Sequence, residues 1–555
     1  MSGALDSFFS HYHRRRPVNA TFTGVHMYDD ALPDWSPAGL EAFDDEMHSL
    51  ARDLSAAHPT PSAAETFRDD VPALDAELAR SFLQTQLTEN ASTHGVRHNP
   101  SLWTGEAIFS VISLMIRNFA PLDERVENAA ARLQAIPEFL RNAGVVIGGV
   151  EVPRPWIERA LRDITGAEVL LTTGIEAWLA SDVHSIGVAA RLRIGAQRAR
   201  EAFRMFAEWL GSCRAAPDAA LACGPAMFDV LLARGHHCLR TRADLLAEAR
   251  ARFNDERAQL DTAAKSIAGS WDAAQESLAI NSPSPDEFLS AFGRVWDECH
   301  SLVTSRDAVT WPDWPIQYVP IPKWTAGAAP YLYYLFYRSP APLDPYSCYD
   351  YVVPNVPEEN AREFLRTWNS SVIRLNHVVH HGGLGHHVQN WHAYHRARLR
   401  TGKIAAVDCA NRIGMFFGGS MAEGWACYST CLASELGLLS PLEQLAEQHS
   451  RLRFLARAIV DIELHQGTMS FNDAATFYRE AVGLSEPAAR AETVKNSMFP
   501  CTAIMYWLGL QGILDLREIL RTRRGRSFSL KAFHDELLGF GSIPIPLVAR
   551  IMSTG

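Results

Sequence analysis

The chain has 555 residues, 47% of them hydrophobic and 21% charged, and carries a formal net charge of −11. That balance is that of a soluble globular protein, and its acidic excess argues against a nucleic-acid partner, because phosphate binding wants clustered Lys and Arg. No stretch approaches the ~20 apolar residues of a membrane span; the longest candidate, AGVVIGGVEV near 143–152, is too short.

The opening MSGALDSFFSHYHRRRP has neither an apolar core nor a small-residue cleavage site, so no secretory signal is expected there. Nine cysteines, an odd count scattered in apolar surroundings, point to a reduced, cytoplasmic protein. Up to about residue 300 the apolar residues recur at three and four. The windows 123–143, 189–211 and 242–267 predict long amphipathic helices, with acidic and Arg residues about four apart on their exposed faces. From Trp311 to Pro354 the texture turns to Pro and aromatics, which predicts short strands and loops. Within it the aromatic stretch from Tyr331 to Tyr351 supplies both core packing and candidate walls for a cleft.

Helical periodicity resumes near 357, continues through 421–438 and 444–465, and is expected to end in GFGSIPIP at 539–546. The basic run RTRRGR at 521–526 reads as a solvated helix end. The expected architecture is mainly α with a small β-sheet. It comprises an N-terminal helical region (1–300), a Pro- and aromatic-rich strand and loop segment (301–356) and a C-terminal helical region (357–555), together forming one compact unit.

Seven of the 21 histidines fall between His377 and His395, in NHVVHHGGLGHHVQNWHAYH. Imidazole is the commonest protein ligand for transition metals and the side chain whose charge changes near neutral pH, so the run predicts a metal site, a proton-handling site, or both. Val378, Val379, Leu384, Val388 and Trp391 interrupt the histidines, which favours a partly buried site over a solvated tract. A helix reaching Gly382 would place His377, His380 and His381 on one face. Gly382, Gly383 and Gly385 would then let the chain turn sharply, so that His386 and His387 swing back towards the earlier histidines. In an unbroken helix His380 and His386 would point apart, so the glycine break is what makes that pair possible.

At these residues the chain resembles the bacterial domain of unknown function 885 family, whose members resemble helical zinc peptidases. The family pattern His-Glu-x-x-Pro-Gly-His-His-x-Gln is met here by His380-His381-Gly382-Gly383-Leu384-Gly385-His386-His387-Val388-Gln389, and Glu-Gly-Trp-Ala-x-Tyr by Glu423 through Tyr428. Further likeness lies in 99–114, 132–140, 457–467, 500–509 and 533–544, so it spans most of the chain. The resemblance implies a metallopeptidase-like helical fold with a deep cleft and one divalent ion, zinc, held by His380, His386 and Glu423. Three N/O ligands with an open fourth position describe a catalytic rather than a structural zinc.

The departure is His381, where relatives carry the Glu that would act as general base towards water beside the metal. A second is Leu384 in place of the motif Pro. The resemblance gives Tyr506 as a donor to a developing oxyanion, beside the plainer reading of a core tyrosine. His387 is expected to influence substrate affinity, and His465 to join Arg457 and Asp461 on one helix face, as a relay to the site or as an ion-pair stripe. Cys427 and Cys431 read as buried thiols, and His392 and His395 as surface or supporting groups. The functional expectation is hydrolysis of a small amide, peptide or ester, with no nucleic-acid or membrane partner. The rivals are a repurposed lyase, isomerase or oxidase, in which His381 is an added ligand, and a ligand-binding pseudoenzyme.

Overall fold

The computed structural model describes residues 3–58, 70–181, 185–332, 337–344, 350–404 and 417–554. The three long amphipathic windows are helices, at Leu122–Ile147, Ile186–Ser212 and Arg242–Ala268. Each buries an apolar stripe at helical spacing: in the second, Ala189, Leu192, Ala196, Ala199, Phe203, Phe206 and Leu210 point inward. Ser185 and Thr241 cap the second and third by accepting backbone N–H groups of the first turn, and Gly269 closes the third at φ 86°.

Two hydrophobic cores hold the chain together. One gathers Trp103, Leu133, Trp156 and Phe203 from the N-terminal helices, and adds Trp324, Val352 and Phe499 from far along the sequence. The other takes Phe8 and Phe82 from the start and joins them to Phe253, Trp425, Leu455 and Ile513. Packing therefore crosses residue 300 in both cores.

The Pro- and aromatic-rich segment forms a three-stranded sheet with Asp350–Val353 at its centre. Gln317–Pro320 pairs with it in parallel, Gln317 opposite Asp350, and Tyr337–Arg338 antiparallel, Tyr337 opposite Tyr351. Parts of the 331–351 aromatic stretch, at 333–336 and 345–349, lie outside the described residues. A second, two-stranded parallel sheet pairs Val152–Pro153 with Ala215–Ala216. The chain does not finish in the Gly-Pro stretch: Pro544 serves as the start of a last helix, Ile545–Ser553, whose Ile545, Val548, Ile551 and Met552 are buried. Proline lacks the N–H that a helix start leaves unbonded anyway, so IPIP opens a helix instead of ending the fold. Among the described residues no helix is long and apolar enough to cross a membrane.

Three helices frame the histidine run. Ala422–Leu436 packs against Met505–Arg524 with backbones in contact, since a Cβ on Gly424 would lie 2.5 Å from the Gly509 Cα. Pro441–His465, capped by a reciprocal Ser440 and Glu443 pair, lies across both.

Candidate metal centre

The histidine run begins in a helix of unusual pitch. Ile373–Gly382 is hydrogen-bonded i to i+5, so each residue advances by roughly 80° rather than 100°. This changes which histidines share a face. His377 is carried away from His380 into the core, where its ring stacks on Trp368 at 4.1 Å and its Nδ1 meets the Tyr351 hydroxyl at 2.7 Å. His377 thus parts from His380, although its ring remains stacked beside that of His381 at 6.5 Å.

The glycines then fold the chain onto the end of its own helix. The Gly385 N–H donates to Val379 O at 2.7 Å, and a Cβ on Gly385 would meet His380 O at 1.9 Å. Trp425 holds the turn from outside by donating its indole N–H to Leu384 O at 2.9 Å and Gly385 O at 3.1 Å. Directly after it the helix His386–Arg396 begins, which places His386 opposite His380.

The result is a nearly equilateral triangle of imidazoles. Ring centres lie 4.6 Å apart for His380 and His381, 5.0 Å for His380 and His386, and 5.3 Å for His381 and His386. One nitrogen from each lies within 4.8 Å of the others. Glu423, buried at the first turn of its helix, brings Oε2 to 3.3 Å from His380 Nε2 and 3.8 Å from His386 Nε2. Ligand bonds near ~2.1 Å in a tetrahedron require ligand atoms about 3.4 Å apart, so these spacings suit one small divalent ion.

Electrostatics agree with ligand duty. Burial pushes His386 down to about 4 against the opposing pull of Glu423. Burial also holds His381 well below the usual imidazole range, helped by the neighbouring His380 and His386. Both rings are therefore neutral at pH 7 and offer lone pairs. His381 Nδ1 lies 2.6 Å from Asn376 O, and a carbonyl only accepts, so Nδ1 carries the proton and Nε2 is free to bind a metal or take a proton.

His380, His381 and Glu423 line a cleft of about 500 Å³ together with Asn376, Arg453 and Tyr506. Tyr506 is 6% exposed, stacked on Phe454 at 5.7 Å and covered by the Arg457 guanidinium at 4.4 Å from its ring centre. Arg457 is paired with Glu492, whose carboxyl is held at about 2 by that guanidinium despite its burial. Asp461 accepts the Cys501 and Ile504 N–H groups at 2.9 and 2.8 Å, fixing the turn that delivers Tyr506, while burial raises its own carboxyl to about 7.

Of the other histidines singled out in the sequence, none lines the cleft, whereas His449 does. His387 is fully buried and faces Trp314 O at 3.1 Å. His465 meets Asn496 O at 2.9 Å, with Asp461 3.7 Å away. Arg457, Asp461 and His465 thus share a helix face, yet each serves a different neighbour. His392 is buried against Thr310 O and His395 is exposed. Burial raises both Cys427 and Cys431 well above the ordinary thiol range, so they are neutral, and Cys431 donates to Glu447. Arg453 escaped the sequence reading. Its signal was present in LRFLARAIV, where two arginines one turn apart, Arg453 and Arg457, interrupt an apolar run.

The family model of bacterial proteins of unknown function, DUF885, matches residues 17–552. No curated protein matches the chain. Two solved structures share its fold, both described as a putative lipoprotein. One, of unknown function, is from Shewanella oneidensis, with TM-score 0.76 and 19% identity over 99% of this chain and 98% of that one. The other is from Colwellia psychrerythraea, with TM-score 0.76 and 17% identity over 100% of this chain and 99% of that one.

Proposed function

The chain belongs to the family of bacterial proteins of unknown function DUF885, and we propose that it is a metal-dependent hydrolase of a small amide, peptide or ester. The observation that carries this reading is the meeting of His380, His381, His386 and Glu423, three of which, His380, His381 and Glu423, line a cleft of about 500 Å³. The donor set is all nitrogen and carboxylate oxygen, which suits zinc held by His380, His386 and Glu423. A divalent ion there supplies Lewis acidity towards a carbonyl oxygen.

The chain's own groups supply the rest. On the likeness to helical zinc peptidases His381 takes the place of a carboxylate base; its Nε2 lone pair, fixed by the Nδ1 hydrogen bond to Asn376 O, takes a proton from water. Tyr506 donates its hydroxyl hydrogen to the oxygen on which charge develops, and the Phe454 and Arg457 stack fixes its ring for that purpose. The buried walls limit the substrate to a small molecule or the end of a peptide.

One observation favours a second reading. The His381 nitrogen lies within 4.8 Å of both partner imidazoles, close enough to become a fourth ligand. Three histidines and one carboxylate suit iron or manganese in a lyase, isomerase or oxidase. Anomalous diffraction at the zinc, iron and manganese edges, on protein purified without chelator, decides between them. Zinc bound without His381 supports the hydrolase, iron or manganese bound with it supports the alternative, and absence of any ion refutes both.

A further inference from the structure

Arg453 lines the same cleft as His380, His381, Glu423 and Tyr506, and among the described residues it makes no hydrogen bond or ion pair. Its Nε is shut off from solvent without a partner. Every other charge in that wall is answered. Arg457, one turn further along the helix, is clasped by both oxygens of Glu492. Glu447 is met by Arg451 at 3.2 Å and by the Cys431 thiol. Glu423 faces the imidazoles, where a dication would exceed its single negative charge.

A guanidinium cannot shed its proton near neutral pH, and holding one half-buried in a cleft wall with no carboxylate hydrogen-bonded to it costs free energy; the nearby Glu492 acts on it only at a distance, its two oxygens being committed to Arg457. With a dication, one Glu423 carboxylate and Arg453, the cleft carries an excess of two positive charges. A fold retains such an arrangement where a ligand supplies the missing anion. Resting on the metal-dependent reading above, we propose that Arg453 anchors a carboxylate of the substrate, so that the molecule processed is a small amide, peptide or ester with a free carboxylate remote from its reacting carbonyl. Arginine rather than lysine fits the task, since its planar fork meets a carboxylate through two parallel hydrogen bonds. At Arg453 itself a carboxylate is favoured over a phosphate monoester, because this single guanidinium matches a monoanion, the other excess charge lying at the Glu423 end.

The test uses the full chain loaded with zinc, and calorimetric titration with succinate, glutarate and adipate, each beside its monoamide. In the parent protein at least one diacid binds ten times more tightly than its monoamide, one carboxylate meeting the metal and the other Arg453. In Arg453→Gln that preference falls below threefold, and in Arg453→Lys it is partly kept. Inorganic phosphate, titrated alongside, binds the parent more weakly than the best diacid; tighter phosphate binding overturns the carboxylate assignment. Failure of every diacid to bind, or a preference that survives Arg453→Gln, overturns the anchor.

Elemental analysis of each preparation separates this failure from failure of the metal reading. Full metal content without an Arg453-dependent preference sinks the anchor alone, and absence of metal sinks the centre. Thermal melting adds a readout that a structural role would move oppositely. Arg453→Met, free of an unpaired half-buried charge, melts at or above the parent temperature without ligand, whereas a packing role for Arg453 requires it to melt lower.

Discussion

The turn at Gly385 decides whether the imidazoles can meet, and Gly385→Ala tests it directly. A Cβ there would lie 1.9 Å from His380 O, 2.6 Å from His380 C and 2.9 Å from Val379 O, all backbone atoms that no side-chain rotation can clear. Carbon and oxygen settle at about 3.3 Å at closest, so turn and helix end must part by about 1.4 Å. That displacement separates His386 from His380, whose spacing to Glu423 Oε2 already matches a small ion. An ångström of misplacement in a positioned site costs about a hundredfold, or roughly 2.7 kcal/mol. The fold should survive, because overpacking of one methyl costs about 1–3 kcal/mol in a large domain. Zinc affinity is measured by competition with a chromophoric chelator, and helicity by circular dichroism. Gly402→Ala serves as control, since its Cβ would strike Phe540 O at 2.4 Å, another backbone clash away from the histidines. Equal zinc affinity in Gly385→Ala and the parent, or equal losses in Gly385→Ala and Gly402→Ala, would refute the claim that this turn assembles the site.

Three further outcomes are expected. His380→Ala and Glu423→Ala each lose most bound metal in elemental analysis while melting within a few degrees of the parent, because the site contributes little of the total burial; unchanged metal content in both sinks the ligand assignment. His381→Glu keeps its zinc and gains hydrolysis of simple peptide or ester substrates if His381 is a base, whereas loss or exchange of the ion without hydrolysis identifies a ligand. Glu492→Gln tests the support of Tyr506: the Glu492 carboxyl is depressed from 4.5 to about 2 by Arg457, which corresponds to roughly 3 kcal/mol. A depressed carboxyl stabilises the fold above its unfolded value and loses that contribution as pH falls, so the deficit of the variant in urea unfolding should be full at pH 7 and shrink from pH 5 to pH 3. A deficit independent of pH would mean that Glu492 acts by shape alone.

The long helices were legible because their signal is local. Leu192, Ala196, Ala199, Phe203, Phe206 and Leu210 recur at helical spacing, and Ser185 and Thr241 sit where caps belong. The final helix was missed because Gly and Pro at 539–546 look like termination, although Pro544 and Pro546 occupy the first positions of a helix, where proline costs nothing. The sharing of two cores across residue 300 was not legible either. Contacts such as Trp324 and Phe499 with the N-terminal helices depend on how the chain returns, which periodicity does not encode.

At the site, the glycine spacing told that His380 and His386 could face each other, and likeness to the family supplied Glu423 from a helix nearly forty residues away. What no spacing rule supplied was the pitch of Ile373–Gly382. An α-helical reading groups His377 with His380 and His381; the wider turn sends His377 to Tyr351 and Trp368 and leaves its two neighbours for the cleft. The same pitch places Asn376 O against His381 Nδ1, five residues on, and so selects the nitrogen that faces the donors. A wide turn is less favourable than an α-helical one and persists where packing over-determines it. Here Trp368, Tyr351 and Trp425 do so, gripping His377 on one side and the glycine turn on the other. His381 therefore sits on a backbone that already orients an imidazole, which is why exchanging this one side chain for Glu is the sharpest question to put to the protein.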